Sequence, residues 1–129
     1  MQGVAILIVE DEFLIAADIE QALADAGFEV LLVTDGKRAI AKLEQEKDGI
    51  CGLVTDIRLG QGIDGWAVAR RARQLIFGIP VVYISGDSGP DWLAEGVPES
   101  ILITKPFTSA QIITAVAHLR NEAGKHSQA

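Results

Sequence analysis

Gly52-Leu53-Val54-Thr55-Asp56-Ile57-Arg58 is an apolar run with a carboxylate near its end. A run of this kind reads as a strand buried on both faces, as the strands of a parallel sheet are. In an open α/β sheet, ligands and chemistry collect in the crevice at the carboxyl ends of the strands. Asp56 stands at such an end, where the chain turns out to solvent. Many strands close on an aspartate that only caps the next turn, so the weight of Asp56 depends on what the other strands bring to the same edge.

Upstream, Val4-Ala5-Ile6-Leu7-Ile8-Val9 is a similar run, closing on Glu10-Asp11-Glu12. The spacing turns helical from Phe13 to Ala26, with Ile15, Ile19, Leu23 and Ala26 on one face and Gly27 as the stop. Phe28 to Val33 reads as a second strand. Asp35 can cap a helix that turns Ala39, Ile40 and Leu43 inward and Lys37, Lys42, Glu44 and Lys47 outward. The central strand spans about Ile50 to Asp56.

Downstream, the loop Leu59-Gly60-Gln61-Gly62-Ile63-Asp64-Gly65 leads into a helix from Trp66 to about Ile76, whose Arg70, Arg71 and Arg73 read as a solvated face. Pro80 introduces a fourth strand, Val81-Val82-Tyr83-Ile84-Ser85. The glycines and prolines between Gly86 and Pro98 leave room for only a turn or two of helix around Asp91 to Glu95. A fifth strand, Ile101 to Thr104, ends in Lys105-Pro106-Phe107. Thr108 with Gln111 forms a capping box for a last helix that buries Ile112, Val116 and Leu119. Five strands alternating with helices imply an α/β, doubly wound, five-stranded parallel sheet with right-handed crossovers, most simply in the order 2-1-3-4-5. The domain is expected over residues 1–122, with 123–129 as a frayed tail.

Composition narrows the function classes. The chain has 129 residues, enough for one domain with a real core. Its formal charge of -7 argues against non-specific binding to nucleic acid or to an anionic membrane. A single cysteine, Cys51, permits no internal disulfide and reads as a small core residue. The N-terminal apolar run is too short to span a bilayer or to serve as an export segment, so the expected location is the cytoplasm.

Side by side, the strand ends supply Glu10 and Asp11, Asp56, Ser85 and Lys105. Two like charges about 4 Å apart at an effective dielectric of about 20 repel by about 4 kcal/mol, so clustered acids need a cation, a shared proton or a close lysine. Oxygen ligands with an open, hydrated position suit Mg²⁺. Such an ion cancels the repulsion that keeps a phosphoryl group from Asp56 and spreads the charge of the transition state. Lys105 can hold one phosphoryl oxygen as a point charge and Ser85 can donate a hydrogen bond to another. Asp56 is then a nucleophile that forms an aspartyl-phosphate.

Val9-Glu10-Asp11-Glu12, Val54-Thr55-Asp56, Ser85-Gly86 and Thr104-Lys105-Pro106-Phe107 together resemble the four signature sites of the receiver domain of bacterial response regulators. The resemblance implies a flavodoxin-like receiver fold, with Asp56 as phosphoacceptor and Glu10 and Asp11 as the acidic pair. It also implies the backbone carbonyl of Arg58 as a further Mg²⁺ ligand, Ser85 and Lys105 as the phosphate-sensing pair, and a cis Lys105–Pro106 bond. The implied donor is a histidine kinase or histidine phosphotransfer protein. The expected output is contact with a downstream protein, by a monomer or weak homodimer, and an alternative is a phosphate sink.

Two departures stand out. The aromatic that many receivers place three residues before the lysine is Leu102 here, and the fourth helix is shortened. Tyr-Ile-Ser-Gly loosely resembles the Phe-Ala-Thr-Gly variant of some alphaproteobacterial single-domain receivers. Either Tyr83 or the loop after Ser85 carries the conformational signal, or Tyr83 is a core aromatic with its hydroxyl at the rim.

Three rival readings remain. Gly60-Gln61-Gly62-Ile63-Asp64-Gly65 is a literal G-x-G-x-x-G, which would seat a pyrophosphate at the following helix with Asp87 on a ribose. An aspartate-nucleophile phosphatase would need a second acid two residues beyond Asp56, where Arg58 stands. The third is a receiver-like binding module that is never phosphorylated.

Overall fold

The computed structural model describes residues 5–87 and 89–127, with side chains outside the description at 89 and from 122 onward. Five parallel strands, β1 (Ala5–Val9), β2 (Glu29–Val33), β3 (Ile50–Asp56), β4 (Val81–Ser85) and β5 (Ile101–Thr104), lie in the order β2-β1-β3-β4-β5. The expected doubly wound α/β sheet is therefore the observed one. Five helices connect or follow the strands: α1 (Phe13–Asp25), α2 (Gly36–Glu46), α3 (Gly65–Leu75), α4 (Gly89–Glu95) and α5 (Ser109–Ser127).

Strand alternation sorts the core into two layers. Leu7, Val9, Leu53, Val81 and Tyr83 meet Ala39 and Leu43 of α2 and Trp66, Val68 and Ala69 of α3 on one face. Ile6, Ile8, Val54, Val82 and Ile84 meet Ile19 and Leu23 of α1 and Ile112 and Val116 of α5 on the other. Burial of β1, β3 and β4 on both sides explains why their sequences are continuous apolar runs rather than alternating ones.

Local chemistry sets the helix boundaries. Asp35 Oδ1 accepts from the Arg38 N–H at 2.7 Å, and Asp64 Oδ1 accepts from the Ala67 N–H at 2.9 Å. Thr108 and Gln111 cap α5 reciprocally: the Gln111 side chain accepts from the Thr108 N–H at 2.7 Å, and Thr108 Oγ1 accepts from the Gln111 N–H at 3.3 Å. Gly27 ends α1 with φ +95°, a conformation that favours glycine.

Some details differ from the sequence reading. Ala26 is exposed beyond the end of α1, and Ala16 and Ala22 join Ile19 and Leu23 on the buried face. Arg73 is not simply solvated: Nε donates to the Ile79 carbonyl at 2.7 Å and a guanidinium N–H to the Pro98 carbonyl at 2.6 Å. Arg71 pairs with Glu44 at 2.8 Å and ties α3 to α2. Leu59, read as part of a loop, is buried in the core. The last helix runs to Ser127, so the expected boundary at residue 122 falls within it. Val4, expected in the first strand, and the final two residues of the expected tail lie outside the described residues.

Register is what builds the functional edge. Val9 pairs with Val33 on one side and Thr55 on the other, Asp56 pairs with Ile84, and Ser85 pairs with Thr104. The residues that end or follow these strands therefore emerge together.

Candidate functional site

Glu10, Asp11, Asp56, Ser85 and Lys105 meet at that edge as their strand positions imply. Four carboxylates, from Glu10, Asp11, Glu12 and Asp56, have oxygens within 4.8 Å of one another. Asp56 is 5% exposed, so its carboxylate sits at the floor of a crevice of about 540 Å³. Asp11, Glu12, Arg58, Ser85 and Lys105 are among the walls.

Asp56 is held from several directions. Its Oδ2 accepts from Lys105 Nζ at 3.2 Å, and its Oδ1 accepts from the Arg58 N–H at 3.3 Å. Thr55 Oγ1 donates to the Asp56 carbonyl at 2.9 Å. Gly65 packs against that same carbonyl, and a Cβ there would collide with it. The glycine is thus required where α3 begins, beside the end of β3.

Lys105 is shared among three acids. Its Nζ lies 3.2 Å from Asp56, 3.2 Å from Glu12 and 3.5 Å from Glu10. Burial disfavours the ammonium, but the hydrogen bond and charge of Asp56, with Glu10 and Glu12, outweigh it and hold Lys105 above its ordinary value. The Lys105–Pro106 bond is cis, and the Lys105 N–H donates to the Ser85 carbonyl at 2.8 Å. These contacts fix the lysine to the end of β4.

Glu10 is buried, and desolvation followed by the charge of Asp56 raises its carboxyl from 4.5 to about 8. One oxygen accepts from the Glu12 N–H at 3.2 Å, while Oε1 faces Lys105 Nζ at 3.5 Å and makes no hydrogen bond among the described residues. A buried carboxyl oxygen without a hydrogen bond, among four acids of which three share the single ammonium of Lys105, suits a small oxygen-seeking divalent cation such as Mg²⁺. The donor set fits that group.

Sequence reasoning left two contributors out. Glu12 enters the cluster because its side chain turns to Lys105 instead of capping α1, where it makes no capping hydrogen bond. Its signal was its place as third acid in an unbroken acidic triplet. Asp87 pairs with the Arg58 guanidinium at 3.0 Å. The described contacts of Arg58 concern its N–H and guanidinium, not its carbonyl.

Tyr83 does not place its hydroxyl at the rim. The ring is fully buried, edge-on to Trp66 at 4.7 Å between centroids, and its hydroxyl accepts from the Val97 N–H at 3.1 Å. The glycine-rich loop also finds local duties. Gly60 and Gly62 turn the chain with φ +79° and +96°, and Asp64 occupies the helix start that a pyrophosphate would need.

Comparison with known proteins places this geometry. The response regulator receiver domain family matches residues 6–117. A response regulator receiver protein from Sinorhizobium medicae WSM419 is 49% identical, with a TM-score of 0.90 over 94% of this chain and 97% of that one. The receiver domain of sensor histidine kinase PA1611 from Pseudomonas aeruginosa PAO1, whose structure has a magnesium ion coordinated in the active site cleft, is 26% identical. Its TM-score is 0.78 over 92% of this chain and 98% of that one. Response regulator receiver protein Anae109_2439 from Anaeromyxobacter sp. (strain Fw109-5) is 32% identical over 91% of this chain and 46% of its own length. The chain spans about half the length of the curated relatives it matches. No described helix is long and apolar enough to cross a membrane. With its sheet order, its acidic edge and its lysine all in register, the chain belongs to the response regulator receiver domain family of two-component systems.

Proposed function

We propose that this receiver accepts a phosphoryl group from a phosphohistidine of a histidine kinase or histidine phosphotransfer protein onto Asp56, and signals through contacts with a downstream protein. The observation that carries the reading is the near-buried Asp56 carboxylate, 3.2 Å from Lys105 Nζ and within the four-acid cluster. In the transfer, an Asp56 oxygen forms a bond to phosphorus. The phosphorus–nitrogen bond breaks, and the imidazole leaves with the electron pair. The proposed chemistry is the chain's own phosphorylation and dephosphorylation.

Lys105 already touches the acceptor oxygen and supplies positive charge to a phosphoryl oxygen as it arrives. Ser85 donates its hydroxyl to a second oxygen. Glu10, Asp11, Asp56 and the Arg58 carbonyl are the proposed holders of Mg²⁺, which when bound neutralises the acids and the incoming group. The crowded acids repel one another less once Lys105 and that ion share them.

Intact-protein mass spectrometry after acetyl phosphate treatment tests the reading. Wild type gains one phosphoryl group with Mg²⁺ and little without it, and Asp56→Asn gains none. Phosphate uptake by Asp56→Asn equal to wild type overturns the assignment.

A further inference from the structure

We infer that the Arg58–Asp87 ion pair is a strap across the mouth of the crevice, opened when the phosphodonor draws the guanidinium off Asp87. The inference rests on the proposed acceptor role of Asp56. Arg58 Nη2 lies 3.0 Å from Asp87 Oδ2, and both residues line the crevice. Their backbones are tied to the groups on either side of the reacting position. The Arg58 N–H donates to Asp56 Oδ1 at 3.3 Å, and the Asp87 N–H donates to Ser85 Oγ at 3.1 Å. The strap therefore joins the exits of β3 and β4 beside the atoms a phosphoryl group must reach.

The side chains are 75% and 61% exposed, and an ion pair that open to water is weak. A phosphoryl group offers the guanidinium more negative charge and a matching pair of oxygens, so it competes well against one carboxylate. Arg58 is then a donor-recruiting residue and Asp87 a brake on it. With acetyl phosphate, the Asp56 oxygen bonds to phosphorus, the phosphorus–oxygen bond to acetate breaks, and acetate leaves with the electron pair. Arg58 transfers no proton and contributes charge alone.

The test compares initial rates of phosphoryl uptake from acetyl phosphate with Mg²⁺ in wild type, Asp87→Asn, Arg58→Gln and the double variant. Both substitutions change exposed side chains and leave the core untouched. Asp87→Asn is expected to accelerate uptake about two- to five-fold by releasing the guanidinium, and Arg58→Gln to slow it. In the Arg58→Gln background, Asp87→Asn is expected to change nothing. An equal acceleration with and without Arg58 overturns the strap, because Asp87 would then act on the donor by its own charge. Absence of acceleration in the wild-type background overturns it as well. Asp56→Asn, run alongside, separates the two ideas: phosphate uptake by that variant defeats the acceptor reading itself.

Discussion

The Tyr83 hydroxyl accepts a hydrogen bond from the Val97 N–H at 3.1 Å, and so ties β4 to the segment that follows α4. Tyr83 lies two residues before Ser85 on a fully buried strand, so a change at the crevice has a short, packed route to that segment. Trp92 and Ser100 extend the same tether: Trp92 Nε1 donates to Ser100 Oγ at 2.9 Å, and that hydroxyl donates to the Val97 carbonyl at 2.7 Å.

Tyr83→Phe leaves the buried Val97 N–H without its acceptor, at an expected cost of about 1–3 kcal/mol in urea unfolding. Amide exchange at Val97 should quicken in the folded protein. For the signalling role, Tyr83→Leu is expected to abolish the phosphorylation-induced NMR shifts across residues 86–98. If those shifts persist, the signal runs through the loop backbone alone.

Two glycines near the site should fail for different reasons. A methyl group at Gly65 meets the Asp56 carbonyl and, at 2.8 Å, Ile57 Cα, so Gly65→Ala must displace the end of β3 that carries Asp56. The expected loss is about 1–3 kcal/mol of stability together with slower phosphoryl uptake. Gly62 has open space around it but φ +96°, so Gly62→Ala strains only the loop, by about 1–2 kcal/mol. Equal uptake rates in the two variants would falsify the distinction.

Most of the fold was legible because β1, β3, β4 and β5 are apolar runs bounded by strong turn signals. Asp56, Asp11 and Lys105 were legible for the same reason: a parallel sheet sends every strand end to one rim. What sequence spacing could not give was the direction of long side chains. Glu12 stands where an N-cap residue would, yet bends to Lys105, a residue distant in sequence. Arg73 sits among basic neighbours on α3 but reaches two carbonyls in loops that only the tertiary fold brings near. Tyr83 was correctly placed on its strand, while the partner of its hydroxyl depended on how the α4 segment folds back.

Cys51 offers a pH test away from the crevice. Burial, opposed in part by the Arg120 charge, raises its thiol above the ordinary 9.0. The folded chain therefore keeps a proton that the unfolded chain releases. That contribution to stability is complete below pH 9.0 and is lost as pH rises through the higher folded value. Alkylation by iodoacetamide at pH 8.5 should be slower in the native protein than in urea, and Cys51→Ala should flatten the stability decline above pH 9.0. Equal alkylation rates would show a thiol more open than its half-buried position implies.

Cation binding should appear as folding stability, because only the folded chain gathers the four acids. Mg²⁺ at about 100 times its dissociation constant is expected to stabilise the protein by about 2.7 kcal/mol, read as a rise in melting temperature that EDTA reverses. Asp11→Ala should lose most of that rise, since it removes a charged oxygen from the cluster. Lys105→Met should behave in the opposite way. Without its ammonium, 3.2 Å from Asp56 and 3.5 Å from Glu10, the metal-free protein keeps the repulsion among its carboxylates and melts lower. The gain from Mg²⁺ is then larger than in wild type, because the ion has more repulsion to relieve and no neighbouring cation to displace. A smaller gain in Lys105→Met would mean that the lysine orders the acids for the metal instead of substituting for it.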